Sequence, residues 1–194
     1  MHLPIHAAGL PEDNRVEGLT HHAVPSYTPT LGALLNARRD MRPVRKIGAQ
    51  LLLAAVPRGF RWRYLPSAEE EMLIIKTIVP AVSTLQTNDV TCRDARTSGA
   101  TAQDVLQKLP EAAILHLACH GHQSLQNPLE SGFVMSDRML TVEELMGLHL
   151  PHAFFAFLSA CETAKGDDQQ PDQAIHLAAT MLFAGFKSVI GTMW

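Results

Sequence analysis

Two short stretches constrain the fold of this chain more than any others: Ile114–Gly121 (ILHLACHG) and Phe154–Cys161 (FFAFLSAC). Each is an apolar run that ends abruptly in a reactive side chain. Runs of this length and composition predict strands buried on both faces, the kind that build parallel sheets. In an open parallel sheet, ligands and chemistry sit just beyond the carboxyl ends of the strands. His120 is expected where one strand ends, and Cys161 where the next one does. Neighbouring strands lie about 5 Å apart, so the two side chains can meet although a whole crossover separates them in sequence.

The remainder alternates as such a sheet requires. Met1–Pro29 is broken by prolines and glycines and reads as an irregular lead-in to the same domain. Thr30–Arg39 carries Leu31, Leu34 and Leu35 at helical spacing, with Pro43 beyond. Gln50–Val56, stopped by Pro57, is the first buried strand. Arg58–Pro66 (RGFRWRYLP) is a basic, aromatic loop, expected to be a solvated connection covering the sheet edge. Ser67–Glu70 has the spacing of a capping box, and Met72, Leu73, Ile75, Ile78 and Val79 continue it as an apolar helical stripe. Asn88–Cys92 is a weakly signalled strand. Thr101 caps a helix over Ala102–Leu109 that Pro110 ends.

After His120 and Gly121 comes a polar loop to Ser131, with Asn127-Pro128 as its turn. Gly132–Met135 and Met139–Leu140 predict a small hairpin on the rim. Thr141–Glu144 is a second capping box, opening a short helix that Gly147 closes. Cys161–Pro171 (CETAKGDDQQP) is a polar loop, Asp172 can cap a helix over Gln173–Ala184, and Lys187–Met193 is a last strand. This order predicts an α/β fold with a mostly parallel central sheet, helices on both faces, and right-handed crossovers. Residues 30–194 form the domain and residues 1–29 its lead-in.

Composition narrows the class. A chain of 194 residues suits one domain with a sizeable core. Hydrophobic content of 46% with 18% charged residues is that of a soluble globular protein. A net charge of −3 gives no case for nucleic acid or an anionic membrane surface as partner. Three cysteines without framework spacing argue for reduced thiols and a cytoplasmic location. Apolar runs fall well short of the roughly 20 residues of a membrane helix, and Met1–Ile5 lacks the features of a secretory signal.

Chemistry is expected at Cys161 and His120. A thiol becomes a useful nucleophile beside a base. A cysteine taken alone is more often a small buried hydrophobe. What favours chemistry is the position at a strand end, the polar loop after it, and a histidine at a matching strand end. Gly121 permits close approach of a substrate. The amides of Gly121 and Cys161 can serve as the donors that the oxyanion of acyl transfer requires. His116, Cys119, His120 and His122 invite a zinc reading, but strand alternation sends His116 and Cys119 to opposite faces. Cys119 and Cys92 read as core thiols, His116 as a satisfied interior histidine, and His21-His22 as a surface pair. Glu130, Asp137, Glu162, Asp167, Asp168 and Asp172 are acids near the site, any of which can select a basic substrate side chain, though most read as solvated loop charges.

The stretches HLACHG, LSACETA and AGFKSVIGTMW together resemble the CHAT domain, a caspase-like family named for its association with TPR repeats. Supporting matches follow in order: LPIHAAG (Leu3–Gly9), SYTPTLGALL (Ser26–Leu35), LPSAEEEM (Leu65–Met72), SGATAQDVLQKL (Ser98–Leu109) and the helix start at Leu140-Thr141. The resemblance implies a caspase/separase-like three-layer fold and a cysteine endopeptidase with His120 and Cys161 as its dyad. It implies no metal and no cofactor. In such relatives the histidine serves mainly to protonate the leaving amine. The implied partner is a protein or peptide substrate, with a TPR-containing partner or parent chain beside it. Relatives continue beyond the position of Trp194 with a further strand, helices and substrate-binding loops. The expectation is therefore of a domain incomplete at its C-terminal end, with its last strand an exposed edge and part of the pocket wall absent. The alternative is a catalytically silent caspase-like module for assembly or regulation in a larger signalling or cell-death protein. A third reading is an unrelated thiol hydrolase acting on small amides.

Overall fold

The computed structural model describes residues 9–12, 15–18, 26–39, 49–80, 84–86, 90–91, 98–124, 126–160 and 177–191. The lead-in is not wholly irregular. Gly9–Glu12 (β1) and Arg15–Gly18 (β2) pair as an antiparallel ribbon, hidden in the sequence because Pro11 interrupts the alternation that marks a strand. Leu31–Arg38 forms α1 within the expected helix, and Thr30 lies outside it as the N-cap, its side chain accepting from the Ala33 amide.

Leu51–Ala55 (β3) is the first strand of the main sheet. Helix α2 spans Pro66–Ile78, but the capping box expected at Ser67 is absent. Leu65 is the N-cap without a side-chain hydrogen bond, and Pro66 occupies the first turn. Proline carries helical φ, and the amide it lacks has no partner in the first turn in any case, so the helix starts at Pro66 and Ser67 falls inside it.

Thr84–Gln86 (β4) is an edge strand not anticipated from its sequence. Val90–Thr91 (β5), within the weakly signalled strand, pairs with Ser98–Gly99 (β6). Thr101 caps Ala102–Lys108 (α3). Ile114–His122 (β7) is followed by the expected hairpin, Gly132–Val134 (β8) with Met139–Thr141 (β9). Thr141 and Glu144 complete a full capping box on Val142–Met146 (α4), and Gly147 closes it. Phe155–Ala160 (β10), Leu177–Ala184 (α5) and Ser188–Gly191 (β11) follow. Gly185, with φ of 123°, ends α5 in the left-handed conformation that glycine adopts without steric cost. Cys92, the Cys161–Pro171 loop, the Asp172 cap and the start of the last helix lie outside the described residues.

The sheet runs β11-β10-β7-β3-β4, all parallel, with the antiparallel β8–β9 hairpin added at the end of β7. This is the α/β fold with a mostly parallel sheet. One core cluster joins Leu52 and Ala54 of β3, Leu115, Leu117 and Cys119 of β7, and Ala156, Leu158 and Ala160 of β10. It unites them with Val105 of α3, Leu145 of α4, and Leu177 and Met181 of α5. The opposite face is thinner. Ala55 and Ala118 meet Ala68 of α2, with Leu65 and Met72 packed alongside.

Two expectations change on that thin face. β10 is buried on one side only, because α2 covers β3 and β7 and leaves Phe155, Phe157 and Ser159 half-buried. The apolar stripe of α2 is also split. Met72, Ile75 and Val79 turn partly inward, whereas Leu73, Ile74 and Ile78 are 56%, 60% and 73% exposed. Three alanines at the contact admit only a narrow strip of the helix.

Candidate active site

β7 is the axis of the site. Its neighbours β3 and β10 are in parallel register with it, Ala55 opposite Ala118 and Ala160 opposite Cys119. The strand does not stop at His120, as its composition implies, but runs on to His122. The last three residues find a new antiparallel partner, His120 opposite Val134, Gly121 opposite Phe133 and His122 opposite Gly132. A strand persists wherever its backbone groups have a ladder to join. The parallel neighbours thus hold the backbone up to Cys119, and the hairpin holds it from His120 onward.

Alternation along β7 sends Leu115, Leu117 and Cys119 into the main core, and His116 and His120 to the face that α2 partly covers. Cys119 is a fully buried thiol. His120 is half-buried, and its Nε2 lies 2.9 Å from the Arg63 carbonyl oxygen. A carbonyl can only accept, so Nε2 carries the proton and donates. In the neutral ring the lone pair is then on Nδ1. The Trp62 ring leans against His120 at a centroid distance of 5.3 Å and meets His122 edge-on at 5.9 Å.

Arg63 and Trp62 belong to the basic, aromatic loop, which does not cover a sheet edge. β3 is an interior strand between β7 and β4. The loop leaving its carboxyl end therefore arrives beside the end of β7. Arg58 bridges to Tyr64, and the Leu65 amide donates to the Pro57 carbonyl at 2.8 Å. The Phe60 amide donates to the Met135 carbonyl at 2.9 Å, tying the loop to the hairpin. Composition made RGFRWRYLP conspicuous, but a backbone carbonyl has no residue type to betray it.

Deeper on the same face, His116 is buried and stacks on Phe157 with centroids 5.1 Å apart. Its Nε2 lies 3.3 Å from Glu71 Oε1 without the alignment of a hydrogen bond. The expectation of a satisfied interior histidine is therefore not met: Nε2 is buried beside a carboxylate without a hydrogen bond to it. Burial lowers its pKa below the ordinary imidazole value, with Glu71 opposing that shift.

The acids sort themselves by partner. Asp137 accepts from the Ala102 amide at 2.8 Å and so helps to cap α3. Glu130 accepts from the Asn127 side chain at 2.8 Å. Cys161, Glu162, Asp167, Asp168, Asp172 and His21-His22 lie outside the described residues. Among the described residues no group of three or more His, Cys, Asp or Glu side chains is disposed to hold a metal ion, and no helix is long and apolar enough to cross a membrane. The arrangement is a histidine of defined tautomer two residues before the end of an interior strand. In the sequence, Cys161 directly follows Ala160, the last residue of β10.

Compared with known families, the chain matches the CHAT domain over residues 1–194. No curated protein matches it.

Proposed function

The chain belongs to the CHAT domain family, and on that premise we propose that it is a cysteine endopeptidase with a caspase-like fold, using His120 and Cys161 as its dyad. The observation that carries this reading is the His120–Arg63 contact. A backbone acceptor 2.9 Å from Nε2 is what a histidine needs if Nδ1 is to exchange protons with a substrate. The register supports it, since the residues preceding the two dyad members, Cys119 and Ala160, are paired across adjacent strands.

In this mechanism the Cys161 sulfur attacks the scissile carbonyl carbon as its thiolate, forming a carbon–sulfur bond. The amides of Gly121 and Cys161 donate to the resulting oxyanion. When the carbon–nitrogen bond breaks, the protonated His120 gives the Nδ1 proton to the leaving amine. A water molecule then attacks the thioester and gives a proton back to His120. The carbon–sulfur bond breaks, the carboxylic acid departs, and the thiolate with its protonated His120 is restored. Throughout, the Arg63 carbonyl keeps the ring oriented.

The test compares the protein with its Cys161→Ala variant on a diverse peptide mixture, read by mass spectrometry. Cuts in the first sample and none in the second are expected. Identical spectra from two folded samples would sink the reading in favour of a silent module for protein assembly. The exposed Leu73, Ile74 and Ile78 of α2 are the surface that speaks for that alternative.

A further inference from the structure

Beyond holding His120, the segment Arg58–Pro66 presents an unusual surface. Arg58, Arg61 and Arg63 are interleaved with Phe60, Trp62 and Tyr64, and no acidic residue interrupts them. The three rings are 43%, 40% and 45% exposed. Single exposed rings are ordinary. Three in one short loop, each accompanied by an arginine, give the composition that dominates protein-binding hot spots.

The charges are placed rather than loose. The Arg58 guanidinium lies 4.4 Å from the centre of the Tyr64 ring, and that of Arg61 lies 4.9 Å from the centre of Phe60. The Glu69 carboxylate at the start of α2 is engaged by the Tyr64 hydroxyl, which donates to it at 2.9 Å. Arg61 adopts φ of 62°, a left-handed state uncommon for a residue other than glycine. The Trp62 amide closes that turn on the Gly59 carbonyl at 3.1 Å. Gly59 itself packs so tightly that a Cβ there would stand 2.6 Å from Val134 Cγ1. The loop is thus anchored on the hairpin, with Arg61, Arg63 and the three rings exposed and with Trp62 and Arg63 against His120.

We propose that this loop is a substrate-reading surface for peptide segments rich in aspartate and glutamate, with Trp62 as the apolar shelf and Arg61 and Arg63 as partners of the carboxylates. Arg63 serves twice, its carbonyl toward His120 and its guanidinium toward the peptide. The whole chain is net negative at −3, so the loop is a local basic exception that orients an acidic peptide as it arrives. Only the placement of the segment rests on the peptidase reading: because His120 protonates the leaving amine, the segment is the one C-terminal to the cut.

Binding is measured apart from cleavage. The protein with Cys161→Ala and Trp194→Phe keeps Trp62 as its one indole. It is titrated with a short peptide containing aspartate and glutamate, and with the same peptide carrying asparagine and glutamine, while tryptophan emission is followed. A saturable change is expected with the acidic peptide only, weakened about tenfold by Arg61→Gln with Arg63→Gln and weakened by high salt. Equal responses to both peptides, or a response untouched by the arginine substitutions, overturn the proposal. In the unaltered protein, cut sites are expected to be enriched in Asp and Glu on the C-terminal side, and cuts without that enrichment also overturn it. Loss of all Cys161-dependent cuts with acidic-peptide binding intact would instead remove the peptidase and keep the reading surface.

Discussion

His120 and Arg63 meet 57 positions apart in the chain, ring nitrogen to main-chain oxygen at 2.9 Å. This contact joins the loop at the carboxyl end of β3 to the last residues of β7. It assigns the imidazole its tautomer without spending a side chain on the task. The partner of the candidate base is therefore insensitive to what residue occupies position 63, provided the loop keeps its path.

That path depends on Trp62. Trp62→Ala removes the ring that leans on His120 at 5.3 Å. Aromatic contacts of this kind contribute about 0.5–1.5 kcal/mol, so kcat/KM on a peptide cut is expected to fall roughly tenfold or less. Trp62→Phe is expected to recover most of it. A merely structural role would leave the pH profile of kcat unchanged, and measuring that profile separates the two. His120→Ala should cost far more, about a hundred- to ten-thousandfold.

Gly132 faces His122 in the β7–β8 pairing, and a Cβ there would stand 2.1 Å from the Leu140 carbonyl oxygen. Gly132→Ala must push β8 and β9 apart. The expected cost is about 1–3 kcal/mol, visible as a lower midpoint in urea unfolding. Loss of peptide cutting beyond that expected from the unfolded fraction would show that the hairpin also positions His120.

His116 makes stability depend on pH. Burial lowers its pKa in the fold from the ordinary 6.5, so the unfolded chain binds the proton more readily than the native one. Its contribution to stability is therefore complete above pH 6.5 and is lost as the pH falls toward the lower native value. His116→Gln should flatten this part of the stability–pH curve. An unchanged curve would sink the assignment.

At the start of α4, Thr141 Oγ1 accepts from the Glu144 amide at 3.3 Å while Glu144 Oε2 accepts from the Thr141 amide at 3.0 Å. Thr141→Ala is expected to cost about 1 kcal/mol. The Arg138 guanidinium, donating to Glu144 at 2.9 Å, is the first cause holding that carboxyl below its ordinary 4.5. The resulting stabilisation is present above pH 4.5 and disappears as the pH falls through the lower native value. Solvent screening keeps it small. Acid titration of Glu144→Gln, watched by circular dichroism, should lack this step.

Elements whose signals are local were the legible ones. The caps at Thr101 and Thr141, the closure at Gly147, the hairpin after Gly132 and the strands β3, β7, β10 and β11 all carry their reasons within a few residues. Ser67 misled because Pro66 begins the helix first. β4 was silent because three residues of an edge strand hold too little alternation to be noticed. The exposed side of α2 could not be foreseen, since an apolar helix names its need for cover without naming how much cover it gets.

By itself the sequence determined the kind of fold, the strand that carries His120, and which side chains along it share a face. These follow from backbone periodicity, which is local. Only the tertiary structure decided that β7 runs past His120 to join the hairpin, and that the loop after β3 delivers Trp62 and a carbonyl to the imidazole. Those outcomes depend on strand order and register, and on a main-chain oxygen that is the same atom in every residue.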